Sequence, residues 1–144
     1  MSRQRRSWLW LWLSIAVFVG VMGRQVYELT RNDYRAPVTF SRAEVLNSPV
    51  QAGGELHVRI WREKVRDDCP VLSRPYVIGA NNTVINMSAA FSLGGPAGTP
   101  NVEFTYTIPD LPPGEYVLYD RLSYRCPAVT FDIDQPEIAF TVSE

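Results

Sequence analysis

The sequence holds one histidine (His57), two cysteines (Cys69 and Cys126) and three methionines, of which Met87 alone falls in the globular part. These shortages exclude much chemistry. Zinc sites need Cys and His at ligand spacing, and copper handling draws on several Met and His groups. A lone His with no Ser or Cys in a nucleophile motif supplies no general base paired with a nucleophile. No catalytic residue, metal ligand or cofactor motif is therefore assigned, and an enzyme is not expected. The acidic groups Asp67-Asp68 and Asp132, Asp134, Glu137 match no calcium loop and read as solvated carboxylates. Clustered cations are scarce as well. From Gln25 to Glu144 ten basic residues stand against fifteen acidic ones, a net charge near −5. Phosphate neutralisation needs the opposite balance, so no nucleic-acid partner is expected.

Long hydrophobic runs are missing, with one exception. Trp8 to Gly23 is uncharged and follows Arg3, Arg5 and Arg6, with Arg24 behind it. As a helix this run covers about 24 Å, slightly short of a ~30 Å hydrocarbon core, which Ser7 and a snorkelling Arg24 can make up. Trp8, Trp10 and Trp12 sit beside the basic end, where indoles favour the headgroup region, a pattern more typical of a retained anchor than of a cleaved leader. Val21 and Gly23 are nevertheless small enough to precede a signal-peptidase cut. Either outcome places the rest of the chain outside the cytosol, because the positive charges stay inside. The expectation is a single-pass protein of the inner (cytoplasmic) membrane, with the lipid bilayer as first partner, the N-terminus in the cytoplasm and the C-terminal domain in the periplasm or outside.

Beyond the run, helical periodicity is absent and two-residue alternation takes over. Leu56, Val58 and Ile60 alternate with His57, Arg59 and Trp61; Val102, Phe104, Tyr106 and Ile108 with Glu103, Thr105 and Thr107; Ile138, Phe140 and Val142 with Ala139 and Thr141. Each set predicts a half-buried strand. Further strands are expected over 38–45, 76–78, 83–91, 116–124 and 129–133, separated by Gly-, Pro- and Asn-rich turns. Seven or eight short strands in about 110 residues predict an all-β fold, an antiparallel β-sandwich with Greek-key connections. The organisation is then 1–7 cytoplasmic basic tail, 8–24 transmembrane signal-anchor or signal peptide, 25–36 juxtamembrane stalk, and 37–144 extracytoplasmic β-sandwich domain.

Two motifs sharpen this. Ile108-Pro109-Asp110-Leu111-Pro112-Pro113-Gly114-Glu115-Tyr116-Val117-Leu118 resembles the turn before the penultimate strands of bacterial immunoglobulin-like domains, including fibronectin type III-like and collagen-adhesin B-type repeats. Val50 to Val58 is similar to the turn entering their second strand. The resemblance implies that Tyr116 plugs the end of the core and bonds its hydroxyl to nearby backbone. It implies no function. The internal Lys to Asn cross-link of the collagen-adhesin repeats is not expected, since the only lysine, Lys64, stands in a polar stretch.

Cys69 and Cys126 are expected to pair, because export places them in an oxidising compartment. Both follow strand ends, so the bond should tie two loops at one pole. A candidate binding surface comprises Arg59, Trp61, Tyr119 and Arg121, residue types enriched at hot spots. Against it stands the plainer reading that Trp61 or Tyr119 packs on a loop or the stalk. The leading functional expectation is a non-enzymatic protein-interaction or structural module with an unidentified protein partner, an accessory subunit of an envelope assembly or of a phage-encoded membrane function. The alternative is a small-ligand carrier or sensor that binds between the sheets or at the loop pole.

Overall fold

The structure is a computed structural model that describes Ser2–Ser143; the side chains of residues 2–7, 9, 11, 28, 29 and 31–33 lie outside the described residues, among them Arg3, Arg5, Arg6 and two leucines of the apolar run. The chain divides into two compact units, Met1–Arg35 and Ala36–Glu144.

The first unit is a helix, α1 (Ser2–Asp33), with Trp8, Trp10, Trp12 and Phe18 all more than half exposed. Its polar continuation past Arg24, read from the sequence as a stalk, is helical through Asp33. Ser14 turns its hydroxyl back to the Trp10 carbonyl, so this polar atom within the apolar run is satisfied locally. Among the described residues no helix is long and apolar enough to cross a membrane. The expected transmembrane span thus gains no support from the structure.

The second unit holds ten strands: β1 (Val38–Val45), β2 (Val50–Gln51), β3 (Glu55–Lys64), β4 (Val71–Gly79), β5 (Val84–Asn86), β6 (Ala90–Ser92), β7 (Asn101–Thr107), β8 (Gly114–Arg125), β9 (Thr130–Asp134) and β10 (Ile138–Ser143). They form two sheets. One is β1-β3-β7; the other runs β2-β10-β8-β4-β5, with β6 also on β4 and β9 also on β8. The ladders are antiparallel except β2 with β10, which is parallel, a departure from the wholly antiparallel expectation.

Alternation decides which side chains meet. Leu56, Val58 and Ile60 of β3 are fully buried, and with Tyr106 they pack against Val77, Leu118, Ile138, Phe140 and Val142 of the other sheet. A second cluster gathers Val38, Val71, Leu122, Tyr124, Cys69 and Cys126. Cys69 and Cys126 are disulfide-bonded at the end of the β4–β8 pair, where Val71 registers with Tyr124. The bond staples one pole and leaves the core uncrossed. With its cysteines 57 positions apart in the chain, it contributes about 4 kcal/mol by loop-closure entropy.

The strand expected at 76–78 begins at Val71, because Pro75 hides it. The Pro75 carbonyl accepts from Met87 N–H, so the proline nitrogen faces that same side, where the gap between β5 and β6 demands no ladder donor. That gap also divides the single strand expected over 83–91.

Tyr116 is half-buried against Phe140, ring centroids 5.9 Å apart, and its hydroxyl donates to the Pro112 carbonyl at 2.8 Å. Gly79 stands opposite; a Cβ there would lie 3.1 Å from the tyrosine ring. The expected effect of Tyr116→Ala is a loss of about 2–4 kcal/mol, for a ring only partly buried, and of Tyr116→Phe about 0.5–1 kcal/mol, for one hydrogen bond. Val117→Thr, on the opposite parity, should be nearly neutral. Urea denaturation of residues 36–144 with the disulfide intact ranks the three; equal damage from Val117→Thr and Tyr116→Ala contradicts this register.

Candidate functional site

Sheet size creates the site. The β1-β3-β7 sheet ends at β7, while the facing sheet extends past β4 to the short β5 and β6. Between the β7 edge and the β5–β6 edge a cleft of about 1050 Å³ opens into the space between the sheets. The segment from Gly94 to Thr99 borders it where the chain passes from β6 to β7. Phe104, Val102, Met87 and Leu122 supply apolar walls.

The floor is polar, and its centre is Asp120. This residue continues the inward row of Tyr116 and Leu118 on β8 and is 3% exposed. Its carboxylate accepts from the Ser73 hydroxyl at 2.8 Å, Arg74 N–H at 3.0 Å and the Tyr106 hydroxyl at 3.1 Å. The Tyr106 oxygen also lies 3.1 Å from Gln135 Oε1, and Gln135 is itself buried, in the turn from β9 to β10. Burial pushes the Asp120 carboxyl up, against the downward pull of those three donors. Burial first, and the Asp120 charge second, also push the Tyr106 hydroxyl up, which keeps it a neutral donor. Tyr124 is pushed up to about 12 by burial, opposed by the nearby Arg62 charge.

The residues singled out from sequence are placed elsewhere. Arg59 and Trp61 lie on the outer face of the three-stranded sheet, whereas Tyr119 and Arg121 lie on the outer face of the other, so the structure does not bring the four together as one surface. Each has a local partner. Arg59 pairs with Glu103 across β3–β7 at 2.7 Å; Trp61 lies under the Arg42 guanidinium, 3.8 Å from the ring centre; Tyr119 stacks on Tyr76 at 5.3 Å; Arg121 pairs with Asp134 at 2.9 Å. His57 contacts Thr105 at 3.1 Å. Asp132 accepts from Ser123 and Asp68 from Arg66. Among the described residues no group of three or more His, Cys, Asp or Glu is placed to hold a metal ion.

Lys64 departs from the polar stretch its neighbours suggested. It is buried, and its Nζ donates to the carbonyls of Gly94 and Gly95. Arg62, Lys64 and Asp120 were all missed as site residues, yet a signal existed. Each is a charged residue on the inward parity of a strand, in step with Leu56, Val58 and Ile60 or with Leu118.

Two sheets, one disulfide pole and an inter-sheet cleft with a polar floor define a β-sandwich-like domain. No family profile and no curated protein sequence matches the chain. Among solved structures, the C-terminal domain of Wzt is similar with a TM-score of 0.50 at 12% identity, over 76% of this chain and 75% of that one. The X-ray structure of structural-genomics target SoR45 follows at 0.45 and 9% identity, over 72% and 86%. A Parabacteroides merdae β-glucuronidase matches at 0.42 and 16% identity, over 74% of this chain and only 14% of the enzyme. The first likeness supports a β-rich fold and nothing finer; the other two carry no argument.

The buried carboxylate makes a pH prediction. Folded Asp120 keeps its proton to higher pH than the unfolded chain does, so its contribution to stability falls as pH rises from the unfolded value, 3.8, through the raised folded value. Asp120→Asn turns an amide N–H₂ toward donors, at a cost on the order of 1–3 kcal/mol. That cost should shrink between about pH 4 and pH 8, since only the wild type buries a charge at the upper end. Paired denaturation curves across this range check it, and a penalty that grows with pH contradicts it.

Proposed function

We propose that the chain is a membrane-held, non-enzymatic carrier or sensor domain that takes a small ligand between its sheets on the extracytoplasmic side. The observation that carries this reading is the inter-sheet cleft of about 1050 Å³, mostly apolar with a few convergent buried polar groups, the form that ligand sites generally take. An immunoglobulin-like or fibronectin type III-like sandwich is the finer fold assignment. The Tyr116 to Pro112 bond supports it, since that bond resembles the tyrosine corner of such domains.

A second reading, the protein-interaction or structural module of an envelope or phage-encoded assembly, draws on a different feature. Val84, Phe91 and Leu93 are 56%, 65% and 77% exposed along the β5–β6 side, an apolar strip of the kind partners cover. Native mass spectrometry of the full chain, gently purified from its membranes, separates the two. The expected result is a bound small molecule that is lost in Ala90→Trp, where an indole occupies the cleft. A stoichiometric protein partner with no small molecule favours the module.

For the N-terminal unit we propose a signal-anchor or leader with its N-terminus in the cytoplasm. The support is the uncharged run from Trp8 to Gly23, the preceding Arg3, Arg5 and Arg6, and the exposure of Trp8, Trp10 and Trp12. A C-terminal reporter that works only in the cytosol should be silent, whereas an active one overturns this topology.

A further inference from the structure

Past Ile60, the inward row of β3 continues with two cations. Arg62 is 8% exposed and lines the cleft; Lys64 is 3% exposed and lies beside the cleft-lining Gly94 and Gly95. Their hydrogen bonds go to neutral groups. Arg62 Nη1 donates weakly to the Gly94 carbonyl at 3.4 Å, and Lys64 Nζ to the carbonyls of Gly94 and Gly95. Among the described residues no carboxylate forms an ion pair with either, and Arg62 Nε–H has no acceptor. Elsewhere on the floor Gln135, 5% exposed, holds a second donor, Nε2, that also has no acceptor among the described residues.

Buried cations are stabilised by paired anions, and buried donors by acceptors. The near end of this cleft therefore favours a group that brings negative oxygen. Asp120, already supplied with three donors, repels such a group from the middle of the floor and so sets its orientation.

We propose that the cleft selects small amphipathic oxyanions. A carboxylate or phosphate docks on Arg62 at the Gly94–Gly95 end, and an apolar body lies against Val102, Phe104 and Met87. This assignment rests on the ligand-binding reading above and names its ligand class.

The test uses the full chain in lipid nanodiscs with its methionine methyls labelled with carbon-13. Met87 reports on the cleft, and Met22, on α1, reports partition into lipid. Four probes share one body: 4-phenylbutyrate, 4-phenylbutyl phosphate, the neutral 4-phenylbutyramide and the cationic 4-phenylbutylamine. At least one anion should shift Met87 saturably, with the amide about 10-fold or more weaker, as expected for a charge-assisted hydrogen bond, and the amine without effect. The two anion arms distinguish an organic acid from a phosphate ester. Arg62→Lys keeps the charge and removes Nε, and should weaken the bound anion about 10-fold. If that variant fails to fold, the ranking of the four probes on the wild type decides alone. Equal binding of all four overturns the oxyanion assignment and leaves ligand binding standing. No Met87 response to any probe overturns the assignment, and the absence of a co-purified small molecule then removes the ligand-binding reading with it.

Discussion

The carboxylate of Asp120 is where the two sheets, the β3-facing edge strand β7 and the turn before β10 are tied together. It sits on β8, receives Ser73 and Arg74 from β4, and reaches across to Tyr106 of β7, which in turn contacts Gln135. A buried carboxylate is tolerated only when donors surround it, so all these elements must arrive in register for any one of them to be stable there. Its carboxyl is nonetheless pushed up, which means desolvation outweighs those donors. The knot favours one particular arrangement of the chain at some expense of stability, and it holds the polar floor of the cleft in place.

Around this knot, sheet size sets the shape of the cleft. The inward side chains of β7 are covered unevenly, with Tyr106 buried and Val102 and Phe104 only half-buried, because no further strand follows on that side. A closed sandwich would bury those two side chains completely. Here they form a wall instead. The charges are divided along the same space, Arg62 and Lys64 toward the disulfide pole and Asp120 at the centre. The stapled β4–β8 end, with Tyr124 and Val71 packed on the disulfide, gives the cationic end a rigid backing.

The outer faces follow a different logic. Their aromatic and basic side chains are arranged as neighbours on single sheets: Arg42 over Trp61, Tyr76 on Tyr119, Arg59 with Glu103, Arg121 with Asp134. Such cross-strand pairs are the ordinary means by which exposed sheet faces are stabilised, and solvent screening keeps the ion pairs among them weak. Residue types enriched at hot spots thus pair locally on each outer face, while Arg62 and Tyr106 show that the same types also face inward. Whether two such faces are one surface depends on which sheet each strand joins.

Period-two alternation in the sequence located β3, β7 and β10 and assigned their inward parity, because a strand has only two faces and one of them must be apolar; the strands expected over 38–45 and 116–124 correspond to β1 and β8, and β1 shifts register between Phe40 and Arg42. The disulfide was expected from the Cys pair and the export reading, and the bond of the Tyr116 hydroxyl to nearby backbone from the resemblance of the 108–118 turn; only the structure supplied Pro112 as its partner. β4 was half-hidden by Pro75, whose missing donor is harmless only because a neighbouring ladder breaks beside it. Inward parity marked Arg62, Lys64 and Asp120 as charged residues on core-facing positions, but the cleft and what those charges do in it were decided by tertiary structure. Whether a charged residue at an inward position becomes a solvated strand end, a buried bond or part of a site depends on what the opposite sheet places across from it. That opposition is set by contacts between residues far apart in the chain, such as Tyr106 and Gln135 or Lys64 and Gly94, which no local pattern encodes.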